Sequence, residues 1–357
     1  MTLGNENKHI ARRILGIVSP FILTIVLLWF TLRNVDLNKT FDMLSNVSIF
    51  WLIIFIALFF LAHYIRAVRW RYILFSVKKD ISIINLFSAT MIGYGVNCVV
   101  PRLGEVYRAF FLGKWESLSR TSMLATVIIE RVIDVLVLAL SVLVSIFIYD
   151  GNLLNEISWL KSALILISVS ILTLIVFIVL LVFYREKFTR ILILLIGKIS
   201  RRMADKAAYV FEMFTEGLST IRSKKALLLT LVLSILIMLI YGLDSYIGLL
   251  VLKMNEIQPT SFAMGWVVMT IAAFGIVLPT PGGTGSYHLI AVFVLVTLYG
   301  FSESIAFAFA LLTHTIGIVL FVLSTIVAIN YHNYKSKKEG KSGVNFISVF
   351  KINSIEK

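Results

Sequence analysis

The motif NCVVPRLGEVYR, residues 97–108, sets Asn97, Arg102, Glu105 and Arg108 around a Pro-Arg-Leu-Gly turn. If a helix begins after Gly104, Glu105 and Arg108 fall on one face, three residues apart. Two guanidinium groups beside a cavity suit a phosphate, which each can grip bidentately. An ordinary loop with solvated charges would use the same residues. A second constellation, Glu130, Arg131 and Asp134, interrupts the apolar run IIERVIDVLVLAL. Glu130 and Asp134 share a helix face at i,i+4, and Arg131 can pair with Asp134 at i,i+3. Ionisable groups inside an apolar run are functional candidates. They could read a cationic headgroup or share a proton, as close like charges do. They could equally form a structural ion-pair cluster.

Three further sites stand alone in apolar sequence. Asp244 interrupts LIMLIYGLDSYIGLLVL. His314 lies inside a long apolar run. His288 follows the stretch PTPGGTGSYH, residues 279–288, whose Gly282, Gly283 and Gly285 permit a tight backbone turn. A glycine-rich turn that opens a helix can also present N–H groups to an anion. Each histidine could instead be a satisfied packing residue. His63, Arg66 and Arg69 fall at the end of an apolar run, where arginines commonly snorkel to the interface.

No Walker A loop, Gly-x-Ser-x-Gly elbow or Cys/His metal spacing occurs. The single Cys98 excludes an internal disulfide. The sequence therefore predicts no catalytic residue, metal or cofactor.

The elements that must hold these residues are membrane helices. The chain has 357 residues, of which 59% are hydrophobic and 15% charged. A soluble domain is near 45–50% apolar and about 25% charged. The mean hydropathy is +0.95. Continuous apolar runs predict spans at about 14–32, 50–68, 121–148, 161–184, 226–252 and 304–330. Their continuity excludes a porin-type barrel. The first run is too long for a signal-peptide core and reads as a retained helix.

The net charge of +14 comes from basic residues between spans, so topology explains it better than nucleic acid does. Lys and Arg gather before the first span, after the second, along 101–120, along 185–225 and in the tail. The opposite segments carry only Arg33, Lys39, Lys161 and Lys253. This bias predicts both termini in the cytoplasm, as a multi-pass protein of the cytoplasmic (inner) membrane.

Segments 82–117 and 260–299 fit re-entrant hairpins turning near Pro101 and Pro281. The second could also be two full spans. Arg102, Glu105, Arg108 and Lys114 would each cost roughly 2.5–3.5 kcal/mol at the centre of a crossing helix, which favours a hairpin for the first segment. Irregular backbone at membrane depth must be buried in protein or line a wet cavity. Helix, helix, hairpin, helix then occurs twice, first entering from inside and then from outside. The predicted fold is all-α and polytopic, with an inverted-topology repeat. Its halves are 12–148 and 161–330, each of three spanning helices and one hairpin. They belong to one domain, 1–334, followed by a polar, lysine-rich tail, 335–357, that reads as disordered. The insert 185–225 reads as an amphipathic interfacial helix with Val210, Phe211, Phe214 and Leu218 on one face. The two turns are expected to approach each other near the bilayer midplane.

With NCVVPRLGEVYR, ERVID (130–134) and PTPGGTGSYH in this order, the chain resembles the lysylphosphatidylglycerol synthase transmembrane region, or flippase-like domain family. The resemblance covers about residues 10–330. It implies inverted repeats and two re-entrant hairpins. In the best-known members this region flips an aminoacylated phosphatidylglycerol, and a large soluble aminoacyltransferase domain follows it. Here only a short polar tail follows, so synthase activity is expected to be absent. Stand-alone relatives are linked to isoprenoid-linked sugars or envelope lipids. Many relatives carry an acid shortly after the last glycine of the turn, where this chain has His288.

The expected function is lipid translocation through a cavity between the hairpins. Expected partners are membrane lipids: an anionic or aminoacylated phospholipid, or a polyprenyl-phosphate lipid. A homo-oligomer is compatible with such a chain. Rival readings are an intramembrane transferase acting on a lipid phosphate, a non-lipid secondary transporter and a structural membrane subunit.

Overall fold

The computed structural model describes residues 3–75, 77–198, 200–217, 223–340 and 342–350. Among them every regular element is helical. Six helices are long and apolar enough to cross a bilayer, and a seventh span results if one bent pair counts as a single crossing. The chain is thus a multi-pass integral membrane protein.

The bent pair is α1 (Leu3–Leu32) and α2 (Leu37–Ser45), which meet at 92°. The loop between the first two predicted spans was not expected to hold a helix. Asp36 caps α2 by accepting from the amides of Asn38 and Lys39. Then come α3 (Ile49–Ile73), α4 (Ile83–Asn97), α5 (Gly104–Glu116) and α6 (Arg120–Ile148). After the single turn α7 (Leu153–Glu156) comes α8 (Leu160–Phe183). The predicted insert forms two helices, α9 (Arg185–Gly197) and α10 (Arg201–Gly217). The chain continues with α11 (Lys224–Val251), α12 (Phe262–Ala272), α13 (Ser286–Tyr299) and α14 (Glu303–Lys338).

Helices α4 and α5 form the first hairpin. They hold 15 and 13 residues, about 22 and 20 Å at 1.5 Å per residue, and neither reaches across a hydrocarbon core of ~30 Å. The limbs touch closely because both contact points are glycines. A Cβ on Gly104 would overlap the Gly93 carbonyl oxygen, and one on Gly93 would lie 3.0 Å from the Cβ of Arg108. Glu116 clamps the base, accepting from Lys78 Nζ at 2.5 Å and Asn85 Nδ2 at 2.7 Å.

The second hairpin is α12, a 3-10 turn, the Pro-Gly-Gly stretch and α13. Gly282, Gly283 and Gly285 all have positive φ, so the turn uses glycine where an L side chain would be strained. Its 11-residue α12 is only about 16 Å long. The segment Pro281–Tyr299 has the length and apolarity of a span. Helices α6 and α12 are joined by polar contacts, Trp266 Nε1 to the Ser141 carbonyl at 3.0 Å and Ser145 Oγ to Thr270 Oγ1 at 2.7 Å.

The insert, read as one amphipathic helix, is two helices, and the second packs on the rest of the protein. Phe214 of α10 packs into the core beside α6, and Ser122 Oγ donates to the Met213 carbonyl at 2.8 Å. Val210, one turn before Phe214, is exposed. Leu218 lies outside the described residues. The tail is also ordered further than its composition predicts. Helix α14 runs to Lys338, and residues 342–350 turn back onto α5, with Val344 and Val349 buried.

Candidate functional site

The ion-pair geometry is built from three helices. Arg66 and Arg69 come one turn apart from α3, Arg108 from α5, and Glu130, Arg131 and Asp134 from α6. Arg66 Nη1 lies 2.9 Å from Glu130 Oε1 and 2.7 Å from Asp134 Oδ2. Arg69 Nη2 lies 2.8 Å from Glu130 Oε1 and 2.7 Å from Asp134 Oδ1. Arg108 Nη2 lies 2.9 Å from Glu130 Oε2. Arg131 Nη1 is 3.6 Å from Asp134 Oδ2, the predicted i,i+3 pair. The two acids share a face, as their spacing requires, but two arginines stand between them. The guanidinium groups of Arg66 and Arg69 each reach both carboxylates and so bridge the like charges.

Side chains of Glu130 and Arg69 are 0% exposed. Burying charges is tolerable only when they are paired and hydrogen-bonded. Helix α11 supplies the remaining partners. Ser234 Oγ accepts from Arg69 Nη1 at 2.8 Å, and Tyr241 Oη accepts from Arg66 Nη2 at 3.3 Å. Trp70 lies under Arg108, with the guanidinium carbon 4.9 Å from its ring centroid. Four guanidinium groups face two carboxylates in this cluster, a formal surplus of +2. Buried donors also go unused. Nε and Nη1 of Arg108 meet no acceptor, nor do the Nε atoms of Arg66, Arg69 and Arg131, while on the acid side Glu130 Oε2 and Asp134 Oδ1 have ion-pair contacts without a full hydrogen bond. Each unmet buried donor costs about 1–3 kcal/mol. A site with spare positive charge and spare donors can take an anion.

Arg66 and Arg69 correct the expectation of snorkelling anchors, for they point into the protein and carry half of the guanidinium set. The signal available was their i,i+3 spacing on the face of His63. A basic pair at the end of an apolar run has the same spacing when it snorkels. His63 is buried one turn further along. Its Nδ1 is 2.7 Å from the Phe59 carbonyl, and its ring is edge-on to Tyr94 and Phe321. Tyr94 and Phe321 stack at 4.7 Å, forming an aromatic layer beside the cluster.

The first turn's other predicted residues serve the hairpin itself. Asn97 Oδ1 accepts from Gly104 N at 2.8 Å, capping α5, whose N-cap residue Leu103 offers no side-chain bond. Asn97 Nδ2 donates to Glu105 at 3.3 Å. Arg102 is exposed at the tip with φ 64°, so it occupies a different environment from buried Arg108.

The second turn forms a separate polar group. His314 Nε2 is 2.9 Å from the Gly282 carbonyl. Gly285 N donates to His288 Nδ1 at 3.3 Å, and the two imidazoles sit edge to face at 4.7 Å. Ser286 Oγ donates to the Gly283 carbonyl at 3.1 Å. The Tyr287 ring stacks on His314, and its hydroxyl is 3.0 Å from Thr313 Oγ1. Asp244 Oδ1 is buried with no hydrogen-bond partner. The turns meet: a Cβ on Gly282 would lie 3.3 Å from the Cα of Cys98. On its other side the second turn touches α1, where a Cβ on Gly285 would lie 2.9 Å from the Thr24 carbonyl oxygen. A cavity of about 410 Å³ sits between α1 and α13, and one of about 260 Å³ is lined by Ile129, Ile133, Ile178 and Leu231; the charged side chains of the cluster and the two turns line neither. No group of three or more metal-ligating side chains occurs among the described residues.

The family model described as the lysylphosphatidylglycerol synthase TM region matches residues 16–324. A UPF0104 membrane protein of Methanocaldococcus jannaschii is 28% identical over 103 residues, which are 28% of this chain and 31% of that protein. A UPF0104 membrane protein of Pyrococcus horikoshii is 22% identical over 198 residues, 54% of this chain and 56% of that protein. These matches span about half of the relatives' length or less. No solved structure matches.

Proposed function

Because the chain belongs to the lysylphosphatidylglycerol synthase TM region family, we propose that it moves a phosphate-bearing lipid between bilayer leaflets, with the buried guanidinium cluster holding the headgroup. Family membership points to a membrane lipid-related function. The observation that carries the finer reading is the surplus of +2 on Arg66, Arg69, Arg108 and Arg131 over Glu130 and Asp134, with donors left unused. A phosphate would supply both the missing charge and the missing acceptors. The acids hold the guanidinium groups in register so that they do not scatter when no lipid is present.

The lipid is a phospholipid, anionic or aminoacylated, or a polyprenyl phosphate. In this reading the two meeting turns are the partition that a headgroup must pass, and the hairpins are re-entrant halves of an inverted repeat, 12–148 and 161–330. Short limbs and opposed Pro/Gly turns support that plan. The basic segments support a cytoplasmic location for both termini and the inner membrane as the site of action. Asp244, His288 and His314 belong to the outer half of the path, next to the second turn. Asp244 is the site for the positive end of a headgroup.

Reconstituted vesicles containing headgroup-labelled lipids test this reading. Translocation of phosphate lipids above the protein-free rate is expected. Background rates for every lipid tried would remove its basis, and formation of a new covalent lipid product would favour a transferase.

A further inference from the structure

Residues 342–350 form the fourth wall of a small core otherwise built by three helices. Val344 and Val349 are buried against Ile92 and Val96 of α4, Phe111 of α5 and Ala328 of α14. The Val344 amide donates to Asn333 Oδ1 at 2.7 Å, fastening the segment to α14. Phe346 packs edge-on against Tyr107 and Phe111. Phe350 does the same with Tyr107 and Phe110. Arg120, at the start of α6, closes the far end. Its Nη1 donates to the Phe350 carbonyl at 3.0 Å, and its guanidinium lies 5.3 Å over the Phe110 ring. A segment expected to be a solvated tail is thus tied to α4, α5, α6 and α14 together.

These are the two limbs of the first hairpin and the helices on either side of it. The hairpin tip is where Cys98 meets Gly282. For that tip to part from the second turn, α4 and α5 must shift against α14, which carries the Gly282 partner His314. The segment spans that joint. We propose that residues 342–350 are an intramolecular strap that keeps the first hairpin shut against α14, so that its release opens the junction between the two turns. This regulation does not rest on the cluster binding lipid.

The chain's single cysteine reports the junction directly. Cys98 is half-buried and free, so the rate at which a maleimide labels it in the full-length, native-sequence protein measures how often the turns separate. Val349→Asp, which puts a charge into the closed core, should raise the labelling rate about tenfold, equivalent to about 1.4 kcal/mol of lost strap contact. Arg120→Gln, which removes the tie to Phe350 and the stacking on Phe110, should raise it in the same direction. Ile347→Asp, at a strap position that is 81% exposed, should leave the rate unchanged. The melting temperature of each variant is read in the same sample. If Val349→Asp and Arg120→Gln both keep a folded melt and the parental labelling rate, the strap has no hold on the hairpin. Equal acceleration by Ile347→Asp would likewise overturn the proposal.

Discussion

Replacing Glu130 by Gln keeps the shape of the side chain and deletes its charge. The structure sets a high cost for that change. Glu130 is fully buried and lies within 3 Å of Arg66, Arg69 and Arg108. Removing one partner of a buried pair typically costs 3–5 kcal/mol, because the other charge is left uncompensated. Here the formal surplus would rise from +2 to +3, and the amide Nε2 would present donors to donors. A loss of about 3–5 kcal/mol is therefore expected. Ser234 and Tyr241 still accept from Arg69 and Arg66, which keeps the loss at the lower end of that range. Unfolding of the purified protein by dodecyl sulfate in mixed micelles measures it. A Glu130→Gln protein within 0.5 kcal/mol of the parent, below the ordinary size of a single substitution, would refute the idea that this cluster holds α3, α5 and α6 together.

Gly104→Ala should destabilise by about 1–3 kcal/mol, the usual cost of overpacking, because its Cβ collides with the Gly93 carbonyl; a melt equal to the parent's would mean that the limbs are not in contact. Asp244→Leu should raise the unfolding free energy by about 1–3 kcal/mol, since it removes a buried polar atom that has no partner, while lipid transport falls. Stability unchanged or lowered would show that Asp244 has a structural partner. His314→Phe, which deletes the bond to Gly282, should accelerate maleimide labelling of Cys98, and an unchanged rate would separate that bond from the junction.

The turn positions were legible because proline and glycine restrict backbone geometry locally. Pro101 and the Pro281–Gly285 stretch lie in the turns, and the charge in the second limb of the first hairpin argued against a crossing helix there, where α5 holds only 13 residues. The Glu130–Asp134 face was legible from i,i+4 spacing alone. The arginines of α3 were not, because the same residues at a span's end serve either as interfacial anchors or as buried ion-pair partners. Only the packing of α3 against α6 and α11 decides between these. Arg108 was legible as a candidate, but its partner Glu130 lies on another helix, so local spacing pointed to Glu105 instead. The strap was hidden by composition. Lys335, Lys337 and Lys338 make the region look solvated, and the apolar residues Val344, Phe346, Val349 and Phe350 are too few to form a recognisable run.

The central claim is that the guanidinium surplus takes a lipid phosphate. The most direct measurement is the melting temperature of the purified protein with a phospholipid or with diacylglycerol of the same acyl chains. A ligand that binds only the folded state stabilises it by RT ln(1 + [L]/Kd), about 2.7 kcal/mol at a hundredfold excess over Kd. The account predicts a rise with the phospholipid, a smaller one with diacylglycerol, and loss of the difference in Arg108→Gln, whose unused donors are gone. Equal shifts for the two lipids in the native protein would contradict it.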